Sequence, residues 1–271
     1  MSNLTGNAHI KRVGIFDSGI GGLSVAKSVL ESRIFESAVY FGDTARVPYG
    51  VKDPKTILSF ALESLDFFCA QNVDLLLVAC NTVSAYALES MQQKVHFPIV
   101  GVIEPGVLAR INACSDKEST TLILGTKATI ASRQYQNLLK SAGFKHLCAV
   151  ATGLFVPIVE EGLYKTLSGQ AILQASLEHY LKPFLHTKEL GNRAPDTIIL
   201  GCTHFPLIAR EISAYFGGKS KLIHSGDAIV EFLESTYGLQ PMRFSQTHID
   251  FFASSDIEGL KANAARWLWE D

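Results

Sequence analysis

The sequence predicts an α/β fold with two similar domains, each with a mostly parallel central sheet covered by helices. The first observation is that short apolar runs alternate with longer helical patterns, which is typical of parallel sheets. The second is a similar pair of motifs in each half of the chain, described below. The third is size, because 271 residues, of which 47% are hydrophobic, can bury one large or two ordinary cores.

The predicted elements follow from this alternation. The strands are expected at Arg12–Phe16, Ser37–Phe41, Asp74–Ala79, Pro98–Val102, Thr120–Leu124, His146–Ala151, Thr197–Leu200, Leu222–His224 and His248–Ala253. Helical periodicity predicts helices at Gly22–Ser32, Asp53–Gln71, Thr82–Lys94, Ile130–Ala142, Gly169–Leu181, Leu207–Phe216, Ala228–Tyr237 and Ile257–Trp269. In such sheets ligands bind at the carboxyl edge, so motifs that follow strands are the candidates for function.

Composition excludes several classes of partner. A formal net charge of -2 and a pI near 6.4 give no general attraction to nucleic acid or to anionic membranes. No apolar run approaches the roughly 20 residues of a membrane helix. The polar start, residues 1–9, has neither the charged nor the apolar segment of a signal peptide and is expected to be a frayed tail. We therefore expect a soluble, cytoplasmic protein.

Two pairs of motifs suggest related halves that face each other across a cleft. In the first half, Asp17-Ser18-Gly19 precedes a strand that ends in Cys80-Asn81-Thr82. In the second half, Thr126-Lys127-Ala128-Thr129 precedes a strand that ends in Cys202-Thr203-His204. In each pair a turn of small polar residues is followed by a strand that ends in cysteine and two polar residues. The candidate active site lies where these ends converge.

The chain has five cysteines, and two of them are candidates for chemistry. An odd number, wide spacings and the absence of a C-x-x-C pair argue against a disulfide framework and against a zinc site, so no metal is predicted. Cys69 and Cys148 lie in apolar contexts and are expected to pack as small hydrophobic residues, while Cys114 is incidental. Cys80 and Cys202 each end an apolar run before a helix, where backbone N–H groups favour a thiolate.

Two thiols in matching positions suggest proton transfer at one carbon. Inverting a stereocentre needs a base on one face and an acid on the other, and a thiol with an ordinary pKa of about 8.5 can be primed as either. The α-proton of an amino acid is a far weaker acid, so a dry cleft and placed hydrogen-bond donors must assist the thiolate. The hypothesis is a cofactor-free inversion of a small acidic amino acid.

Other polar residues at the strand ends have structural and functional interpretations. Asp17 heads a glycine-rich turn that lacks the phosphate-binding patterns, and it is better suited to an ammonium group or to tuning a thiol. His204 could relay a proton beside Cys202, although a lone histidine is usually a satisfied polar group. Glu160 is as easily explained as an acidic residue in the first turns of a helix. The hydroxyl and amide residues could cap helices, bind carboxylates or do both, and they are Asn81, Thr82, Thr126, Thr129 and Thr203.

Together these strings resemble the glutamate racemases of the aspartate/glutamate racemase family. The matching segments are Gly14–Gly22, Gly42–Gly50, Ala79–Thr82, Pro98–Pro105, Gly125–Thr129, Gly201–Leu207 and His224–Asp227. The resemblance covers nearly the whole chain from Val13 onward, and the joint pattern of these segments is highly specific. Members supply D-glutamate for peptidoglycan synthesis without a cofactor.

The resemblance implies a domain arrangement and a set of roles. Residues 1–104 and 213–271 would form the first domain and residues 105–212 the second, with homodimers common. Cys80 would take the α-proton of D-glutamate and Cys202 that of L-glutamate, assisted by Asp17, His204 and Glu160. The positions that match substrate contacts are Asp17, Ser18, Tyr49, Gly50, Asn81, Thr82, Thr126, Thr129, Thr203 and His204. Glu161 stands where some relatives have serine.

Two alternatives remain open at this stage. One is a sister reaction in the same fold class, namely aspartate racemisation or an isomerase or decarboxylase with related cysteines. The other is a binding protein that holds an amino acid or a phosphate in the cleft, with both cysteines serving only as packing residues. Incubation with L-glutamate and L-aspartate in D2O separates the first alternative. Replacing either cysteine with serine separates the second, because a binding protein would keep its ligand affinity.

Overall fold

The computed structural model describes residues 10–185 and 193–269, and two parallel sheets organise it. The first sheet contains β1 (Arg12–Asp17), β2 (Ser37–Gly42), β3 (Leu75–Val78), β4 (Ile99–Gly101) and β9 (His248–Ala253), in the order β4-β3-β1-β2-β9. All pairings are parallel, and β3 is buried along its whole length. This explains its continuous Leu-Leu-Leu-Val sequence, since helices cover both faces of such a strand.

The second sheet repeats the topology of the first. It contains β5 (Thr121–Gly125), β6 (Leu147–Ala151), β7 (Thr197–Gly201) and β8 (Lys221–Ile223), in the order β6-β5-β7-β8. Read from the other edge, the order β8-β7-β5-β6 matches β4-β3-β1-β2 in the first sheet. The predicted α/β class with two similar, parallel-sheet halves is confirmed, and all nine predicted strands are present within one or two residues of their expected ends.

The helices that cover these sheets have uneven lengths. They are α1 (Leu23–Ser32), α2 (Pro54–Ala70), α3 (Asn81–Tyr86), α4 (Leu88–Gln92), α5 (Ile103–Ala113), α6 (Lys127–Ser132), α7 (Gln134–Ser141), α8 (Phe155–Glu160), α9 (Leu167–Leu181), α10 (Ala209–Tyr215), α11 (Ser225–Tyr237) and α12 (Ile257–Trp269). Short 3₁₀ helices occur at Thr44–Arg46, Tyr49–Val51, Leu163–Lys165, Lys182–Leu185 and Phe205–Ile208. The shortest α-helices follow the strands that end at the candidate site.

Several predicted helices differ from the observed ones for identifiable reasons. Helix α5 is not among the predicted helices. Its Pro105 lies in the first turn, where proline is tolerated because its missing N–H would have no helical partner. The predicted helix Thr82–Lys94 is divided into α3 and α4 at Ala87, whose ψ of -16° accompanies a φ of -122°. The predicted helix Ile130–Ala142 is likewise two helices, separated by Arg133 in the left-handed region.

The segment 213–271 contributes to both sheets. Strand β9 pairs with β2 of the first sheet. Strand β8 pairs with β7 of the second sheet. Helix α11 then packs against both α1 and α5. The domain boundaries stay a prediction, and the N-terminal tail predicted at residues 1–9 lies outside the described residues.

Two general features of the described residues bear on the site. Within residues 10–185 and 193–269, no helix is long and apolar enough to cross a membrane. The same residues include no group of three or more His, Cys, Asp or Glu side chains placed to hold a metal ion.

Candidate active site

The carboxyl edges of the two sheets place the predicted motifs in equivalent positions. Phe16 is the register partner of Val78, so the chain brings Ser18 beside Cys80 two residues later. Gly125 is the partner of Gly201, so Thr126 and Cys202 leave their strands side by side. Each thiol therefore lies beside a hydroxyl residue that follows the neighbouring strand at the equivalent register position. This equivalence confirms that the two pairs of motifs are built alike.

Cys80 lies at the end of the first sheet and immediately precedes α3. Its Sγ donates a hydrogen bond to Ser18 Oγ at 3.3 Å, and its side chain is buried. Burial, and to a smaller extent the nearby carboxylate of Asp17, raise the pKa of this thiol to about 12. The hydroxyl of Ser18 and the backbone N–H of Val83 act in the opposite direction without overcoming burial. The helix start alone was expected to favour a thiolate, but the neutral thiol is the stable form of Cys80 here.

Cys202 has a different environment, because it is part of a three-residue chain of polar contacts. Its Sγ lies 3.6 Å from Nδ1 of His204, and Nε2 of His204 lies 2.9 Å from Oε1 of Glu160. The rings of His204 and Trp267 pack edge to face, with their centroids 6.2 Å apart. The predicted neighbourhood of Cys202 and His204 is therefore present, and Glu160 joins it from α8.

The imidazole of His204 is held in its charged form. Burial alone would lower its pKa, but hydrogen bonds to Cys202 and Glu160 and the charges of both groups raise the pKa to about 10. An imidazolium has two N–H donors, one for the sulfur of Cys202 and one for the carboxylate of Glu160. Glu160 is the last residue of α8, so the interpretation of it as a first-turn residue is wrong.

The two thiols are near neighbours across the junction of the sheets. Cys80 and Cys202 are 6% and 5% exposed, and charge on Cys202 raises the pKa of Cys80. Cys80 is thus a neutral thiol beside a hydroxyl, and Cys202 lies beside the imidazolium of His204. Such an arrangement can offer an acid and a base to one small molecule at the same time.

Asp17 ends β1 within this buried region and has an unmet hydrogen-bonding requirement. Its Oδ2 accepts a hydrogen bond from the backbone N–H of Gly19 at 2.9 Å. Its Oδ1 is buried and has no hydrogen-bond partner among the residues that the structure describes. Burial raises the pKa of this carboxyl, while the charge of His204 lowers it. Because a buried, unpaired carboxylate oxygen is costly, this atom is suited to receiving a cationic or N–H group of a ligand.

Three threonine hydroxyls meet where the two halves of the chain touch. Thr82 Oγ1 lies 2.9 Å from Thr126 Oγ1 and 3.2 Å from Thr129 Oγ1, and the last two are 2.9 Å apart. Thr126 is also the N-cap of α6, since its hydroxyl accepts from the backbone N–H of Thr129 at 3.1 Å. The Thr126 hydroxyl therefore both caps α6 and belongs to the threonine cluster of the candidate site. Asn81 lies in the first turn of α3 and is not its cap.

Glycines allow the Cys202 motif to approach the Asp17 motif. A Cβ on Gly21 would collide with Thr203 Oγ1 and with the ring of His204. Ser24 Oγ, one turn further on, donates to the carbonyl oxygen of Thr203 at 2.6 Å. The turn that follows β1 thus packs against both Thr203 and His204. A residue larger than glycine at position 21 would collide with them.

The segment Gly42–Gly50 forms a wall that reaches the second half. The Tyr49 hydroxyl donates to Asp43, a buried residue that also accepts from Arg46 Nε at 2.7 Å. Burial and this carboxylate raise the pKa of Tyr49. A Cβ on Gly50 would lie 2.6 Å from Cβ of Thr126, so the backbone here packs directly on that threonine. The Tyr49 hydroxyl is therefore committed to Asp43, and its ring and Gly50 form the wall.

The remaining cysteines lie apart from this group. Cys69 is exposed on α2, so the expectation that it packs in the core is wrong. Cys114 and Cys148 are partly buried, and Cys148 packs against the main core as expected.

Two buried residues that were not predicted as site residues also reach the group. The Tyr135 hydroxyl donates to Oδ1 of Asn81 at 2.7 Å, and Nδ2 of Asn81 donates to Ser225 Oγ at 3.4 Å. Ser225 follows β8 at the carboxyl edge, a position that could have identified it. Tyr135 lies within a helical pattern and carries no sequence signal that distinguishes it from a core aromatic residue.

Comparison with known proteins gives a consistent result. The profile of the family described as Asp/Glu/Hydantoin racemase matches residues 24–233. The glutamate racemase of Campylobacter jejuni subsp. jejuni is 51% identical over 257 residues, covering 95% of this chain and 98% of that protein. The glutamate racemase of Helicobacter pylori strain J99 is 48% identical over 263 residues, with coverage of 95% and 99%.

Solved structures agree with these sequence matches. The crystal structure of the Campylobacter jejuni glutamate racemase superposes with a TM-score of 0.88 at 51% identity, covering 95% of this chain and 98% of that one. The Francisella tularensis glutamate racemase, solved in complex with D-glutamate, gives a TM-score of 0.79 at 29% identity, with coverage of 96% and 94%.

Proposed function

The chain belongs to the Asp/Glu/Hydantoin racemase family and is an amino-acid racemase, and from this membership we propose that it interconverts L- and D-glutamate without a cofactor. The substrate follows from the relatives, which are glutamate racemases. The observation that carries the mechanism is the pair of buried thiols at equivalent sheet ends, each with its own polar partner. Cys80 and Cys202 act as the two acid–base groups.

In the L-to-D direction Cys202 is the base and Cys80 is the acid. Cys202, whose sulfur contacts the His204 imidazolium, removes the α-proton of L-glutamate. Cys80, held as a neutral thiol, donates its proton to the opposite face of the same carbon. The C–H bond on one face breaks and a new C–H bond forms on the other, so the product is D-glutamate. Cys202 is then the thiol and Cys80 the thiolate, which is the state that D-glutamate requires.

The residues around the thiols supply the binding groups. The unpaired Oδ1 of Asp17 receives the α-ammonium group, and Glu160 keeps His204 oriented and charged through its 2.9 Å contact. The side chains that bind the carboxylates are Ser18, Asn81, Thr82, Thr126, Thr129, Thr203 and His204. Tyr49 and Gly50 close the pocket as its wall. Hydrogen-bond donors aimed at the α-carboxylate stabilise the charge that develops there as the proton leaves.

Deuterium incorporation tests this assignment directly. The purified protein is treated with a chelator and incubated in D2O buffer with L-glutamate, without pyridoxal phosphate, and in parallel with L-aspartate. We expect D-glutamate that carries deuterium at the α-carbon and no comparable turnover of aspartate. Inversion of aspartate alone would replace glutamate as the substrate. Binding of glutamate without exchange or inversion would support the binding-protein alternative.

The cellular role proposed here rests on the same relatives. The protein is expected to supply D-glutamate for peptidoglycan in the cytoplasm and to act as a homodimer. Depletion of the protein should halt growth in a way that added D-glutamate relieves, and sedimentation should give twice the 29.5 kDa mass of one chain. Growth that is unaffected by depletion would remove the peptidoglycan role, and a monomer in sedimentation would remove the homodimer.

A further inference from the structure

Tyr135 occupies an unusual place between the two half-sites. It belongs to α7, and its side chain is almost completely buried. Its ring is clasped by two glycines, because a Cβ on Gly106 would lie 3.2 Å from Cε1 and a Cβ on Gly201 would lie 3.3 Å from Cε2. Gly201 immediately precedes Cys202. The ring thus packs against the backbone that positions the second thiol.

The hydroxyl of the same side chain reaches the residue that follows the first thiol. It donates to Oδ1 of Asn81 at 2.7 Å. Asn81 in turn donates from Nδ2 to Ser225 Oγ at 3.4 Å, and Ser225 Oγ donates to the carbonyl oxygen of Leu200 at 3.4 Å. This chain of contacts connects the start of α3 to the end of β7, and so connects one cysteine motif to the other.

The contact also determines which end of the Asn81 amide is available. A tyrosine hydroxyl that donates to Oδ1 fixes the oxygen toward α7, so the NH2 end is turned away from it. One Nδ2 hydrogen is used by Ser225, and the other is left for a ligand. A carboxylate needs such an N–H donor and would be repelled by the amide oxygen.

We propose that Tyr135 is a positioning residue for the racemase reaction, which orients the Asn81 amide to donate to a substrate carboxylate and holds the two cysteine motifs in register. This inference rests on the function proposed above. Some residues orient a binding group without touching the substrate. Around metal ligands, mutation of such residues typically lowers metal affinity or activity by about 10- to 100-fold. The same order of magnitude is expected here.

The test uses Tyr135→Phe, which keeps the clasped ring and removes only the hydroxyl. The matched control is Tyr86→Phe, because Tyr86 lies on the same helix as Asn81 and its hydroxyl donates to the carbonyl oxygen of Ala128 at 3.0 Å. Both variants lose one hydrogen bond and should show a similar fall in Tm. Only Tyr135→Phe should lower kcat/KM for glutamate by about 10- to 100-fold, with a rise in KM.

A double-substitution experiment separates positioning from general destabilisation. Asn81→Ala removes the group that Tyr135 orients, so adding Tyr135→Phe to it should cause little further loss of kcat/KM. A full additional loss in that background would overturn the inference, as would wild-type kinetics for Tyr135→Phe. An unreactive wild-type protein would instead refute the proposed function. If Tyr135→Phe does not fold, Ser225→Ala tests the other contact of the same amide, with the same expected loss.

Discussion

Sγ of Cys202 and Nδ1 of His204 lie 3.6 Å apart, and the opposite nitrogen of the same imidazole contacts Glu160. Cys80 has no equivalent, since its contact is the neutral hydroxyl of Ser18. The two thiols are therefore alike in their place in the fold but unlike in their electrostatics. This difference is the basis for proposing Cys202 as the base for L-glutamate and Cys80 as the acid.

The charged state of His204 predicts a pH dependence of stability. The folded-state pKa of about 10 is above the ordinary value of 6.5, so the folded protein binds this proton more tightly than the unfolded chain does. The resulting stabilisation is complete below pH 6.5 and is lost as the pH rises through about 10. Between about pH 6.5 and 9, denaturant titrations should show a loss of about 1 to 3 kcal/mol in unfolding free energy.

Glu160→Gln provides the comparison for that prediction. The amide removes the negative charge that helps to raise the pKa of His204, so the loss over the same pH range should be smaller. Glu161→Gln is the matched control, because this exposed neighbour should keep the wild-type slope. Identical slopes for all three proteins would show that Glu160 does not support the imidazolium.

Substitution of either thiol of the proposed mechanism should strongly lower the rate of racemisation. On that mechanism Cys80→Ser and Cys202→Ser each remove one acid–base group, a change that typically costs about 10²- to 10⁴-fold in rate. The Cys202→Ser protein should still exchange the α-proton of D-glutamate in D2O through Cys80, without forming L-glutamate, as measured by NMR. Cys69→Ser, at an exposed site, is the control and should keep full activity. Normal turnover by either single active-site variant would rule out the two-thiol mechanism.

Catalytic activity should fall when even one methyl group is added at Gly21. The methyl group of Gly21→Ala would collide with Thr203 and with the His204 ring, so it should displace both from their positions near Cys202. A misplacement of about 1 Å commonly costs on the order of 10²-fold in rate, and kcat/KM should fall by about that amount. Gly153→Ala is the control, since no atom lies within 4 Å of the added carbon. Equal activity of the two variants would contradict the close approach.

The stability of the threonine cluster and its contribution to substrate binding should depend on the Thr82 hydroxyl rather than on the Thr82 methyl group. Thr82→Val removes one contact from each of the Thr126 and Thr129 hydroxyls, which still contact each other at 2.9 Å, and losing such a hydrogen bond costs about 0.5 to 1.5 kcal/mol. Steady-state kinetics should show a raised KM for glutamate. Thr82→Ser keeps the hydroxyl and should remain close to wild type. A valine variant with unchanged stability and KM would exclude a role for this contact.

Features that depend on local sequence could be predicted, and features that depend on packing could not. The strands are short, apolar and separated by helical segments, and the parallel arrangement then places Asp17, Cys80, Thr126 and Cys202 at sheet edges. The Glu160–His204 contact joins residues far apart in the chain, and only the resemblance to a family indicated it. The contact of Tyr135 with Asn81 had no signal at all, because a buried tyrosine in a helix resembles any core aromatic residue.

The protonation of Cys80 also required the structure. A helix start favours a thiolate, and the N–H of Val83 does lower the pKa as expected. Burial is the larger effect, and its extent depends on how closely the second half of the chain covers the sulfur.

A structure with glutamate bound would test the central claim most directly, through the positions of the two sulfurs relative to the α-carbon. Proton transfer at one carbon requires reacting groups within about 3 to 4 Å of it. Sγ of Cys80 and Sγ of Cys202 should therefore lie at about that distance on opposite faces of the α-carbon. Two sulfurs on the same face, or one sulfur too distant to reach the carbon, would contradict the mechanism.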